Sequence, residues 1–279
     1  MKKIFLIILI NFYSGVCLKA QIDSTEKSRP QLKFSFNYNS HLNYYGRTDS
    51  LRSSGYFPMA EVWFNKSFYI MVAPVFVHNA TSSFDYAGTV ATGGYQFFSD
   101  DKKWFGNFYL VKPFYESNSQ LVQSSLKAQT AFSLTNLNRM VNVTAGADAK
   151  LSDKMDFGVT GGLDHIFKKQ FDDNSVLVVD PSAFLFAGTQ QFTNTYYKQN
   201  SFLFLPSGAG QRVSENVKKF SVLSYEFSMP VIYAKQKFQL LITPAYVIPQ
   251  NLIAIEDRPD LSERGKEMFY TTIGVKLVL

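Results

Sequence analysis

Cysteine is almost missing from this chain: 279 residues hold one, Cys17, and it lies in the first twenty. A disulfide framework and thiolate metal sites are therefore excluded from the rest of the molecule. Histidine is nearly as scarce, with only His41, His78 and His165, too scattered for a His-rich metal centre. Charge is thin, at 18% of residues, and no Lys/Arg run suggests nucleic acid. No calcium loop of the D-x-D-x-D-G kind occurs, and "GTVATGG" and "GVTGG" lack the lysine and following helix of a phosphate loop. These absences predict no metal, nucleotide or other cofactor. Nor is there a run of ~20 apolar residues, so no transmembrane helix is expected.

The longest apolar run, Ile4 to Ile10, belongs to "MKKIFLIILINFYSGVCLKAQ". Two early lysines, a short greasy stretch and a small residue at Ala20 predict a secretory signal peptide over 1–20, cleaved before Gln21. A lipoprotein signal would need a small residue before Cys17, and Val16 stands there. Residues 21–279 then form one domain. Three of the 28 basic residues, Lys2, Lys3 and Lys19, lie in the leader, which lowers the net charge from +6 to about +3.

What the chain does have is alternation and aromatics. In "MVNVTAGADAKL", Val141, Val143, Ala145, Ala147, Ala149 and Leu151 share one face, and Asn142, Thr144, Gly146, Asp148 and Lys150 the other. "LKFSFNYN" and "VQSSLKAQTAFSL" repeat the pattern. Period-2 alternation is the signature of strands with one apolar and one polar face. Here the polar faces are rich in Gly, Ser, Thr, Asn and Gln, which suits an enclosed lumen better than a fully solvated surface. Twelve spans follow, at about 31–45, 55–64, 68–79, 84–98, 104–115, 121–134, 139–151, 154–167, 175–190, 219–233, 238–249 and 267–279. Asp180-Pro181 interrupts one span and Phe202–Leu205 is apolar enough to start another, so ten to fourteen strands fit. Aromatic pairs flank the inner turns, Trp63-Phe64 against Phe68-Tyr69 and Phe97-Phe98 against Trp104-Phe105, as interfacial girdles do.

Loop parity agrees. With both termini in the periplasm, the outer segments are 46–54, 80–83, 116–120, 152–153, 191–218 and 250–266, and no inner turn exceeds seven residues. The chain ends on "MFYTTIGVKLVL", which resembles the terminal targeting strand of bacterial outer-membrane proteins, with Leu279 in the place of the commoner final aromatic. Ala20-Gln21 is similar to the export junction of Bacteroidota proteins. The resemblance covers 21–279 as pattern and points to no functional subfamily. It implies an all-β, transmembrane antiparallel up-and-down β-barrel in the cell outer membrane. The implied partners are lipid, lipopolysaccharide and the barrel assembly machinery, with no nucleic acid and a protein partner conceivable at the long loops.

Candidate functional residues lie on the inward faces. A hairpin centred near Leu137 sets Lys127 opposite Asp148, and one centred near Asp153 sets Lys150 opposite Asp156. Glu61, Glu226, Asp164, Lys33 and Lys276 join them by alternation. A salt-bridged filling and a narrow conduction path both explain such a network. The expected function is a narrow solute channel or a structural, accessory barrel. The alternative is an outer-leaflet lipid or lipopolysaccharide hydrolase, for which His78 is the best base, although neither His41 nor His78 stands in the His-x-Ser pattern of such enzymes. The lumen is expected to be largely occluded, with residues 200–210 as a lid.

Overall fold

The computed structural model describes residues 30–116, 119, 121–192, 218–253 and 262–279. The predicted signal peptide and Phe202–Leu205, within the expected lid, lie outside these. The strands are β1 (Gln31–Asn39), β2 (Ser54–Trp63), β3 (Phe68–His78), β4 (Asp85–Phe98), β5 (Trp104–Tyr115), β6 (Ala128–Asn136), β7 (Asn142–Leu151) and β8 (Met155–Asp164). They continue with β9 (Phe167–Asp172), β10 (Ser175–Val179), β11 (Ser182–Gly188), β12 (Ser221–Ser228), β13 (Val231–Lys235), β14 (Phe238–Pro249) and β15 (Met268–Val278). Every pairing is antiparallel, and β15 pairs with β1 from Lys33↔Val278 to Asn39↔Thr272, which closes the sheet.

The fifteen strands make twelve crossings of a closed barrel. Three crossings are each broken once: β8 from β9 at His165-Ile166, β10 from β11 at Asp180-Pro181, and β12 from β13 at Met229-Pro230. The breaks fall side by side, because Asp164, Ser182 and Ser228 are register partners, and so are Phe167, Val179 and Val231. Proline has no N–H to give the ladder. Its carbonyl still accepts: Pro181 from His165 N (3.2 Å), Pro230 from Asp180 N (2.9 Å) and Pro244 from Met229 N (3.0 Å). The Asp180-Pro181 interruption is thus absorbed without altering the count of twelve.

Three expected boundaries move furthest. The first crossing stops at Asn39, and 40–53 turns inward. The sixth starts at Ala128, because Val122–Ser125 is a buried 3-10 turn. The hairpin expected to turn over 168–174 keeps pairing to Asp172 and Ser175 and turns at 173–174.

Alternation sorts the side chains as the strand period requires. Val143 is 51% exposed on the outer wall while Asn142 is 3% exposed inside. Phe34, Ile70, Leu110, Phe132, Val159 and Ile273 continue the exposed apolar band around the barrel, the exterior a lipid-facing barrel presents. The girdle expectation needs correction. Adjacent residues in a strand face opposite ways, so Phe64 and Phe68 point out while Trp63 and Tyr69 point in and stack at 4.7 Å. Likewise Trp104 is exposed and Phe105 buried. Inside, a core of Phe57, Met71, Val75, Tyr109, Phe184 and Phe186, with their neighbours, packs across the lumen.

Candidate functional site

The mouth opposite the termini is stoppered by residues 40–53. Leu42 N bonds to Ser53 O (2.7 Å), and Tyr44 and Arg47 exchange main-chain hydrogen bonds (2.7 and 3.0 Å). Tyr45 and Gly46 have φ of 54° and 78°, a two-residue type I′ turn that matches hairpin twist. Glycine is needed at 46, since a Cβ there would lie 2.8 Å from that of Pro249. The hairpin drives Leu42, Tyr44 and Tyr45 into the core. Tyr44 packs edge-on against Phe192 at 4.7 Å, and Tyr45 against Phe186 at 5.5 Å.

Arg47 pins this hairpin. Its Nε is 3.0 Å from Glu263 Oε1, and both side chains are buried. Its Nη2 donates to Gln190 Oε1 (2.5 Å) and Gln250 O (3.1 Å), and its Nη1 to Tyr45 O (3.2 Å) and Leu223 O (3.3 Å). The planar fork thus ties the hairpin to the segment after β11, to β12 and to the β14–β15 connection at once. Main-chain pairing follows the same line, with Arg47 bridged to Gly265 and Thr48 N bonded to Arg264 O (2.8 Å). Gln123, on the 3-10 turn, donates to Asn43 O (3.2 Å) from the other side.

Below the stopper lie the predicted charges, in separate groups. Lys150 is fully buried and ion-paired with Asp148, two residues away on the same inner face, and Gln129 donates to Asp148 (3.4 Å). The Lys150 ammonium also lies 5.4 Å from the Tyr45 ring centre, so stopper and wall charge are in contact. Lys150 and Asp156 are register partners, as the spacing predicts. The Asp156 carboxylate nevertheless turns to the mouth, accepting the N–H of Gln191 (2.7 Å) and of Phe192 (2.8 Å). It fastens the segment that leaves β11.

The Lys127–Asp148 pair does not form. The hairpin between β6 and β7 turns over 137–141, not around Leu137, so Asp148 stands opposite Ala131, and Gln129 opposite Lys150. Lys127 precedes β6 and pairs with Asp153 at 3.1 Å on the surface. Glu61 anchors a second group near the termini: Lys276 Nζ is 2.7 Å away, Trp63 Nε1 donates at 2.9 Å, and Lys33 Nζ lies 4.2 Å over the Trp63 ring. Glu226 accepts the Tyr270 hydroxyl, and Asn142 donates to Asp164 (2.6 Å). Between these groups the lumen keeps a cavity of about 30 Å³ bordered by Asn37, Met59, Ile232 and Gln239, room for one water.

Arg47, Glu263, Gln190 and Tyr45 escape a reading of the sequence, because "NYYGR" continues the strand alternation up to its glycine. The His78 ring faces a main-chain carbonyl, with Nδ1 2.8 Å from Ser83 O, and His41 Nδ1 lies 3.3 Å from Ser40 Oγ. Among the described residues no group of three or more His, Cys, Asp or Glu is arranged for a metal ion.

The sequence matches no protein-family profile and no curated protein. Solved structures do match. An outer-membrane channel from Pseudomonas putida F1 is similar over 91% of this chain and 97% of its own, with TM-score 0.50 and 7% identity. KdgM porin (TM-score 0.47, 8% identity, 88% and 98% covered) and LpxR from Salmonella typhimurium (0.47, 7%, 88% and 99%) are also similar. At such identities the likeness is one of fold, that of bacterial outer-membrane β-barrels.

Proposed function

We propose that the chain, exported by its leader to the outer membrane of a Bacteroidota-type bacterium, is a barrel closed at rest that serves a structural or accessory role. It is not an open porin. The carrying observation is the Arg47 hairpin, locked across the mouth above a lumen filled by an aromatic and aliphatic core. A twelve-stranded ring lies between small filled barrels and the sixteen-stranded porins, so its inward side chains decide whether it conducts. Here they are large and interlocked. The working surface is then the outer mouth and the loops that Arg47 gathers there. Lipid, lipopolysaccharide and the barrel assembly machinery are the partners this placement supplies.

A narrow solute path is the second reading, favoured by one feature. The stopper is pinned by an ion pair and hydrogen bonds in addition to its apolar contacts, and a polar latch can be exchanged for water as the hairpin withdraws. Planar-bilayer recording on the refolded mature protein separates the two. The closed-barrel reading expects no steady current from the wild type. Large, steady, porin-like conductance would overturn it.

A further inference from the structure

At the rim where β1 begins and β15 ends, the sheet has a free edge. β9 alone among the described strands pairs on one side only, with β10. Its other side would face β7, but β7 stops at Asn142, opposite Asp164, and the chain turns away over 137–141. No main-chain hydrogen bond joins β9 to that turn among the described residues. All six residues of β9 are exposed.

Register fixes which groups are unpaired. His165 N donates to Pro181 O, and Asp180 N points the other way, to Pro230 O. The hydrogen-bonded pairs of the β9–β10 ladder are therefore Phe167 with Val179 and Lys169 with Leu177. The N–H and C=O of Lys168 and Gln170 are left pointing to the empty side. An open edge of this kind is not tolerated in hydrocarbon. β9 does not need to lie there: β8, with ten residues, is already long enough to cross, and β9 projects past the end of β7. Composition agrees, since 167–173 holds Lys168, Lys169, Asp172 and Asp173, where the outer wall above presents apolar residues.

We infer that the edge of β9 is a docking site for an extended, acidic segment of a periplasmic protein, which joins the sheet as one more strand. The main-chain groups of Lys168 and Gln170 supply the pairing, and side chains supply the selection. Lys168 and Lys169 stand on opposite faces of β9, so an added strand meets a base on each face, and Arg139 in the neighbouring turn brings a third. The acids sit at the hairpin tip, where Asp172 accepts the Asn174 N–H (2.8 Å) and is taken up by the turn. Phe171 and Met140, both exposed, offer apolar contact on either side of the gap. A second copy of the chain fits poorly, because pairing β9 with β9 sets these lysines near their own counterparts. Residues 21–29 fit poorly too. β1 is five strands away, about 24 Å, and nine residues span at most ~32 Å, which leaves too few to pair. The site does not depend on the lumen being closed or open.

Fluorescence anisotropy of a labelled Val-Glu-Val-Glu-Val-Glu-Val peptide, titrated with the refolded mature protein in detergent, tests this. Saturable binding that weakens with added salt is expected. The same peptide with every amide N-methylated keeps its charge and loses its donors, and should bind at least tenfold more weakly. Lys168→Glu combined with Lys169→Glu should weaken the unmodified peptide by a similar factor. Gln170→Pro removes an edge N–H that β10 does not use, a change an edge strand tolerates, and should cost about tenfold. Absence of saturable binding, equal binding of the N-methylated peptide, or binding unchanged in Gln170→Pro would each overturn the assignment. A dimer in analytical ultracentrifugation that Gln170→Pro dissolves would overturn it in favour of a second copy. Binding seen only after deletion of 21–29 would overturn it in favour of the chain's own segment.

Discussion

Replacing Arg47 with alanine removes one partner of a buried ion pair together with donors to Gln190 and to the carbonyls of Tyr45, Leu223 and Gln250. Breaking a buried pair from one side costs about 3–5 kcal/mol, mostly because the remaining charge stays shielded. Glu263 keeps the Ile253 N–H at 2.8 Å, and the space left by the guanidinium admits water at the mouth, so the low end, about 3 kcal/mol, is expected. Denaturant unfolding in detergent, followed through the fluorescence of buried Trp63, measures it. Arg47→Lys keeps the charge and loses the fork, and should fall between wild type and alanine. A double-mutant cycle with Glu263→Gln should show non-additivity of about 1 kcal/mol or more, as residues in one network do. In planar bilayers Arg47→Ala should show intermittent current where the wild type shows none. Stability unchanged within about 0.5 kcal/mol together with an additive cycle would refute the latch.

Two further outcomes follow from burial. Lys127→Ala, at a site 55% exposed, should shift unfolding by no more than about 0.5 kcal/mol, while Lys150→Ala, fully buried, should cost several times more by stranding Asp148; equal effects in the same denaturant assay would contradict the observed pairing. Val143→Arg should impair membrane insertion by about 2–4 kcal/mol if the residue lies near the bilayer midplane, read as folded yield into lipid vesicles, and Thr144→Ser on the inner face should not; the reverse order would invert the wall.

The strand period made the wall readable: each residue from Asn142 to Leu151 faces the way alternation assigns it, because one face must meet an apolar phase along its whole length. The number of crossings was equally legible, and Asp180-Pro181 misled only as far as it suggested a different count. Register was less so. Setting a turn at Leu137 where it occupies 137–141 moves every cross-strand pair by several residues, enough to match Lys127 with the wrong acid. The stopper was hidden for a different reason. Tyr44 and Tyr45 are good strand formers, and nothing local distinguishes a tyrosine that continues a wall from one that folds back into the lumen. That choice is made by Phe186, Phe192 and Glu263, far away in the chain.

The aligned breaks beside Pro181, Pro230 and Pro244 have a mechanical consequence. Breaks scattered at different heights would each be splinted by intact neighbours. Side by side, they form a crease, and β9, β10 and β13 hang beneath it as a flap. Only β14 runs past the crease without a gap, pairing with β13 through Phe238–Ile242 and with β12 through Ala245–Pro249. A load on the flap, whether from the membrane edge or from a molecule resting on it, therefore enters the barrel through the β14 ladder and the three short hinges at the breaks. The flap is also joined to the mouth from inside, since Val178 and Ile232 pack in the same core as Leu42, Tyr44 and Tyr45.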